Sequence, residues 1–308
     1  MRQVAVNMVE TLARQDDRVV FIGSDLGPGL LKNMKADMPD RFFMEGVAEQ
    51  HIIGMAAGMA MEGYIPYINT IATFLTRRCF DQIAIDVCLE NLPVRLIASG
   101  GGLVYAPLGP THLAFEDMGL LRTLPNMAIA APVDAPEMER LMRASLDWKG
   151  PLYIRLAKGG DPVVSRAEAG FAIGKAIAMR QGGDVTLIGT GIMTGRALAA
   201  AEQLETQGIS ASVLHMHTVK PLDDAAVLEA AAGTGLIVTV EEHTRIGGLG
   251  SAVAELLAET DGAPRLLRLA LPDAFPEGYG SQDNLLSLAG LTVDGITGAV
   301  TKALEGRK

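Results

Sequence analysis

Cysteine is scarce in this chain of 308 residues: there are two, Cys79 and Cys88. Both fall in one predicted helix, Thr73 to Cys88. Nine positions of helix separate them by about 13 Å, beyond the reach of a disulfide. Reduced, buried thiols fit a cytoplasmic protein. Positive charge is also short: 26 Lys and Arg against 36 Asp and Glu give a net charge of −10. That excludes a nucleic-acid footprint, while leaving room for a local basic pocket that holds an anionic substrate. No apolar run is long enough to span a bilayer. The first residues have an amphipathic pattern (Val4, Val6, Met8, Val9, Leu12) and none of the features of a signal peptide. Short-period repeats and low-complexity tracts are absent.

What is present points to an α/β protein. Hydrophobic residues make up 49%, with abundant Ala, Gly and Met that suit close helix packing and a large subunit interface. The length suggests two domains. Strand and helix patterns alternate throughout: strands near Val19–Ile22, Tyr64–Thr70, Val94–Ala98, Met127–Ala130 and Leu152–Leu156, then a second run from Val185 to Leu271, closed by two helical stretches. Such alternation predicts two domains, each a mostly parallel sheet covered by helices. A polar stretch rich in Gly, Asp and Ser marks the join. The expected boundaries are 1–160, a linker at 161–172, and 173–308.

The chain is organised around residues 42–58. A short apolar run, Phe42 to Met44, meets Gly46 and then a helix pattern, Val47 to Met61. Glu45 and Glu49 sit where strand gives way to helix. Ile52, Ile53, Met55, Ala56, Ala57 and Met59 make that helix apolar nearly all round, so burial is expected. A buried carboxylate needs a partner. Glu49 therefore caps its helix or pairs with an arginine, or it is a carboxyl held in an apolar site to exchange a proton. Three further groups carry candidate chemistry. Thr73-Phe74-Leu75 and Phe80-Asp81-Gln82 lie on the next helix. Gly109-Pro110-Thr111-His112 lies in a loop, where a histidine can donate a hydrogen bond or shuttle protons near neutral pH. Arg155 and Lys158 follow a strand. The loop Gly23 to Gly29, with Asp25, lies at a strand's C-terminal end, where open parallel sheets bind ligands.

Gly46-Val47-Ala48-Glu49-Gln50-His51 resembles the Gly-Ile-Ala-Glu-Gln-His segment of the transketolase and deoxyxylulose-phosphate synthase family, whose enzymes use thiamine diphosphate. The resemblance implies that Glu49 bonds to the aminopyrimidine ring and drives formation of the reactive ylide. It implies that Phe74 stacks on that ring, that Phe80 completes the apolar pocket, and that Asp25 and Arg77 also line the cofactor site. Arg77 replaces an aromatic of many transketolases and leans toward the synthases. Gly-Pro-Thr-His resembles the loop whose His contacts substrate, here His112. Arg155 and Lys158 resemble the basic pair near the substrate phosphate. Thr218-Val219-Lys220-Pro221-Leu222-Asp223 and Glu241-Glu242-His243, followed by Gly247-Gly248-Leu249-Gly250, resemble the family's C-terminal domain. One departure stands out: Leu108 replaces the acid that usually precedes Gly-Pro-Thr-His, which puts ordinary ketose-phosphate specificity in doubt.

The Gly-Asp-Gly motif that binds Mg²⁺ and the diphosphate in thiamine enzymes is missing from the sequence. The resemblance covers nearly the whole chain, but only the pyrimidine-binding and C-terminal domains of the family. It implies one subunit of a split transketolase that transfers a two-carbon ketol unit between sugar phosphates. The N-terminal partner subunit would carry the diphosphate-binding domain and its Mg²⁺, and the assembly would be a heterotetramer. Two other readings stay open: the β-subunit of a 2-oxo acid dehydrogenase decarboxylase component, against which Gly-Pro-Thr-His speaks, and a non-catalytic paralogue.

Overall fold

A computed structural model describes residues 1–24, 29 and 31–306. Asp25 and most of its loop lie outside the described residues. The first sheet has seven strands in the order β10-β5-β6-β4-β3-β1-β2. These are β1 (Val19–Gly23), β2 (Phe42–Met44), β3 (Ile65–Ile71), β4 (Arg95–Ser99), β5 (Ala128–Ala130), β6 (Leu152–Leu156) and β10 (Thr218–Lys220). All pair in parallel except β10, which runs antiparallel to β5. The second sheet has the order β12-β11-β8-β9-β7, from β7 (Ile177–Arg180), β8 (Val185–Gly189), β9 (Ala211–His215), β11 (Leu236–Thr244) and β12 (Arg265–Leu271). Only β7 is antiparallel. β1, β4, β6, β8 and β11 are buried along their whole length, as sheets covered on both faces require. Two mostly parallel sheets covered by helices agree with the sequence expectation. The short strands β7 and β10 were not expected.

Helices pack against both sheets. In chain order they are α1 (Arg2–Ala13), α2 (Lys32–Asp37), α3 (Glu49–Met61), α4 (Ala72–Thr76), α5 (Phe80–Gln82), α6 (Asp117–Arg122), α7 (Ala135–Leu146), α8 (Met193–Thr206), α9 (Asp224–Gly233), α10 (Leu249–Ala258), α11 (Gln282–Leu288) and α12 (Val293–Glu305). α3 starts at Glu49 rather than Val47, because Gly46 takes a left-handed turn at φ 66°, a conformation that favours glycine. It is also less buried than its sequence suggested. Ile52, Ile53, Ala56, Ala57 and Ala60 face the core, while Val47, Gly54, Gly58 and Met61 face outward. The expected helix from Thr73 to Cys88 is broken at residues 77–79, and Ile83–Cys88 continues from α5 as a π-helix. Thr76 bonds back to the Ala72 carbonyl, and the Cys79 thiol donates to the Phe74 carbonyl. Side-chain groups thus compete with the backbone ladder in this stretch. Cys79 and Cys88 are buried and free, and burial pushes their thiols up to about 12 and about 11.

The join between the two halves is pinned rather than loose. Asp134 caps α7 and also accepts from the backbone of Val164 and Ser165 and from the Ser165 hydroxyl. Glu137 accepts from Val133 and pairs with His215 at 2.8 Å, and His215 in turn meets Thr194. With β10 completing the first sheet, the second half of the chain is built into the first. Among the described residues, no helix is long and apolar enough to cross a membrane.

Candidate functional site

Parallel pairing brings the C-terminal ends of β1, β2, β3, β4 and β6 to one edge of the first sheet, and the loops leaving them carry most of the candidate residues. Glu49 follows β2 and opens α3, with 2% of its surface exposed. Its carboxylate meets the Arg78 guanidinium at 2.6 Å, the Ser24 hydroxyl at 3.3 Å and the Thr70 hydroxyl at 3.5 Å. Ser24 follows β1 and Thr70 belongs to β3, so three chain segments converge on one acid. The arginine pairing expected from burial is present.

Phe74, on α4, stands beside this pair. The Arg78 guanidinium lies over its ring, 4.3 Å from the centroid, a cation–π contact. His112 meets the same ring edge-on, with centroids 5.2 Å apart. Glu49, Arg78, Phe74 and His112 therefore form one continuous row. The Arg78 side chain is 40% exposed against 2% for Glu49, so the arginine closes the row from the solvent side. A planar, cationic N–H donor lies on an aromatic face and bonds to a buried carboxylate. A flat heterocycle carrying N–H donors would make the same two contacts once Arg78 moved aside.

The neighbouring Arg77 takes another path. It bonds to the Thr73 hydroxyl and the Leu113 carbonyl and pairs with Glu116 at 2.9 Å. It ties α4 to the histidine loop. Arg78, which the sequence reading did not single out, is the arginine facing Glu49. Phe80 packs partly buried against the core of the first sheet, on the far side of the helix break from Phe74.

The basic pair after β6 divides. Lys158 is exposed and lines an open cleft of about 510 Å³ with Asp161, Arg196 and Gln282. Arg155 is buried and holds both oxygens of Asp117, at 2.8 and 3.0 Å. It also donates to the carbonyls of Ala114 and Glu242. Burial works against its charge, but Asp117 and Glu242 hold the guanidinium pKa above its usual range. These bonds use Nε and Nη2 and tie Arg155 to the seam between the sheets, so the expected contact with a substrate phosphate would fall to Nη1. Lys158 is the more exposed of the two.

The Gly247–Gly250 turn is likewise filled from within. The Glu241 carboxylate accepts from the amides of Leu249 and Gly250 at the start of α10. Burial pushes that carboxyl up to about 7, against the pull of the two amides. His243 sits beside it with both ring nitrogens engaged, at the Gly119 amide and the Thr244 carbonyl. Donation to one and acceptance from the other define a neutral imidazole, and burial lowers its pKa to about 4.

Residues 1–160 match the family model described as transketolase, pyrimidine binding domain, and residues 174–296 match transketolase, C-terminal domain. The chain is 40% identical over 306 residues to a 6-deoxy-6-sulfo-D-fructose transketolase subunit from Clostridium sp. (strain MSTE9), covering 99% of this chain and 94% of that one. It is also 40% identical over 302 residues to a 1-deoxy-D-xylulose-5-phosphate synthase from Synechococcus sp. (strain JA-2-3B'a(2-13)), covering 96% of this chain but 46% of the synthase. Among solved structures it is similar to a split-gene transketolase, described as an inactive beta4 tetramer, with a TM-score of 0.89 and 37% identity over 99% of this chain and 97% of that one. A Pichia stipitis transketolase shares the fold, with a TM-score of 0.81 at 18% identity over 100% of this chain and 46% of that one.

Proposed function

The chain belongs to the transketolase family, and on that premise we propose that it is the pyrimidine-binding and C-terminal subunit of a split, thiamine-diphosphate-dependent transketolase. Its units are 1–160, a linker at 161–172, and 173–308. The reaction is transfer of a two-carbon ketol unit between sugar or sugar-phosphate substrates. A partner subunit supplies the diphosphate-binding domain and its Mg²⁺. The observation that carries this reading is the row of Glu49, Arg78, Phe74 and His112.

These residues fit the cofactor. Glu49 would bond to its aminopyrimidine ring, Phe74 would stack on that ring, and Arg78 would yield the place its guanidinium holds. The bound cofactor would supply the carbon that takes up the ketol unit. Burial excludes water from Glu49 and strengthens whatever hydrogen bond it makes. Thr70 and Ser24 place their hydroxyls 3.5 and 3.3 Å from it, the Ser24 hydroxyl also donating to the Gly46 carbonyl at 2.7 Å. His112 is placed by Phe74 and by the Thr111 hydroxyl at 2.9 Å, where it would donate to a substrate oxygen or move a proton to it. Lys158 would meet an anionic group at the far end of the substrate. Leu108 is half exposed and offers no acceptor for a donor hydroxyl, so the preferred donor would differ from common ketose phosphates.

The test is co-expression with a short protein carrying the diphosphate domain, then assay against ketose phosphates and 6-deoxy-6-sulfofructose. The sulfo-sugar belongs in the panel because a 40%-identical relative is named for it. Ketol transfer by the assembled pair, lost on removing thiamine diphosphate, is the expected result. A tight assembly with no transfer from any member of the panel would favour a non-catalytic paralogue.

A further inference from the structure

The loop that carries His112 leaves β4 and returns to α6. Its neck is closed by a bridge in which Gly102 and Ala114 exchange both backbone bonds. Three consecutive carbonyls on the returning limb are each held from a different direction. Arg77 donates to Leu113, Arg155 donates to Ala114, and the backbone amide of Thr244 donates to Phe115. On the outgoing limb the Leu103 amide donates to the Glu242 carboxylate at 2.7 Å. The same oxygen accepts from the Gln282 side chain at 2.8 Å. Gly102 lies against this carboxylate so closely that an added Cβ would stand 2.5 Å from its Cδ. Its φ of 66° also favours glycine.

The second sheet thus grips both limbs of the loop with the end of one strand, β11. Glu242 holds the start and Thr244 the return, and His243 holds the Gly119 amide just beyond. The segment leading into α11 lies over the loop as well. Phe275 meets Phe115 edge-on with centroids 5.8 Å apart, and Tyr279 lies against Gly109. Gln282 ties the end of that segment to Glu242.

We propose that Glu242 is a positioning residue for ketol transfer: it clamps the loop of residues 103–113, and through that loop the second domain sets His112 against Phe74. The proposal rests on the reading that His112 serves the active site. Small misplacements of a reacting group cost large factors in rate, so a clamp one domain away can govern turnover without touching substrate. The Leu103 amide needs an acceptor because it is buried, and the Glu242 carboxylate is the one it meets.

Three variants of the full chain test this, with amide hydrogen exchange on the chain and turnover in the assembled complex. Glu242→Ala removes the acceptor. Exchange should quicken across residues 103–115 while β1 and β3 keep their protection, and turnover should fall by about a hundredfold. Glu242→Gln keeps an acceptor oxygen and should restore both readouts toward wild type. Gln282→Ala, a milder release, should quicken exchange in the same residues to a smaller degree, and decides the matter if Glu242→Ala fails to fold. Unchanged exchange at 103–115 in both alanine variants would overturn the clamp. So would a Gln variant as damaged as the Ala variant. His112→Asn separates the two readings. If it abolishes transfer while Glu242→Ala does not, the clamp is not a positioning device. If neither variant affects transfer, the assignment of His112 falls, and exchange alone decides whether Glu242 holds the loop.

Discussion

Glu49 and Arg78 form an ion pair that the proposed cofactor would displace. The pair is half shielded: the acid is buried and the arginine reaches water. Replacing Glu49 with Gln should therefore cost the fold only about 1 kcal/mol, since Ser24 and Thr70 still bond to the amide and Arg78 can turn to solvent. Turnover of the assembled enzyme should fall by about a hundred- to ten-thousand-fold, the range for losing a positioned proton-transfer group. Thermal melting beside turnover at saturating cofactor checks this. A lowered melting temperature with unchanged turnover would mean that Glu49 only anchors Arg78. The residues after β6 give an opposite pair of outcomes. Arg155→Leu leaves Asp117 buried without its partner, and breaking such a pair costs about 3–5 kcal/mol; denaturant titration should register it. Lys158→Ala touches nothing buried and should leave the titration unchanged. It should raise KM for phosphorylated or sulfonated substrates and spare neutral ones.

At the scale of elements, the end of β11 and the turn after β9 concentrate buried ionisable groups at the seam. His243 and His217 are both held neutral, each with its pKa lowered by burial to about 4 from 6.5. For His217, the nearby His215 adds to the effect. Between pH 4 and 6.5 the unfolded chain binds protons that the folded one refuses. The contribution of these histidines is therefore full above about 6.5 and is lost as pH falls toward 4. Each amounts to about 3 kcal/mol. Glu241 works the other way: raised to about 7 from 4.5, it favours the folded state at low pH and loses that contribution as pH rises through 7. Burial raises Glu116 and Glu242 as well, so the histidines are read one at a time, from the loss of melting temperature that each adds between pH 6.5 and 4.5. In His243→Gln the slope over that interval should be shallower, as calorimetry across the range will show. An unchanged slope would mean that His243 ionises freely in the fold. These elements were partly legible in advance. The two sheets follow from alternating patterns of long, apolar strands. The strands β7 and β10 were missed because three or four residues on a sheet edge carry little periodicity. The break at residues 77–79 was missed because it arises from side-chain bonds that compete with the helix, not from Gly or Pro.

At the scale of the whole molecule, large apolar side chains lie exposed, among the described residues, along α3 and the π-helix beside it. Val47 just before α3 and Met61 at its end, with Ile85 on the neighbouring π-helix and Leu89 just after it, are each more than half exposed. Gly54 and Gly58 lie outward between the ends of α3 and would let another backbone approach closely. Large exposed apolar groups in this number mark an interface, and the face adjoins the helix that begins at Glu49. The chain should self-associate at micromolar concentration, and Ile85→Asp combined with Met61→Glu should shift it toward monomer in sedimentation velocity. A wild-type chain that sediments as a monomer would remove the basis for this face. Purified without a partner, the chain should show weak affinity for thiamine diphosphate in calorimetry and no ketol transfer. Full transfer by the single chain would show that no diphosphate-domain subunit is needed.

Some of this was written in the order of residues alone. The paired α/β halves, the acid at the head of α3, the aromatic after β3 and the histidine in its Gly-Pro-Thr-His loop could all be read there. Each depends on local pattern: the period of apolar positions, a glycine before a helix, a short motif. The sequence could not say which of two adjacent arginines faces Glu49, since both lie in the break at residues 77–79, where helical periodicity no longer sets direction. Nor could it say that Arg155 pairs with Asp117, or that Glu242 reaches across 139 positions to Leu103. Those outcomes were decided by tertiary structure. A buried charge or amide takes whatever partner packing brings within about 3 Å, and distance along the chain does not determine which partner that is.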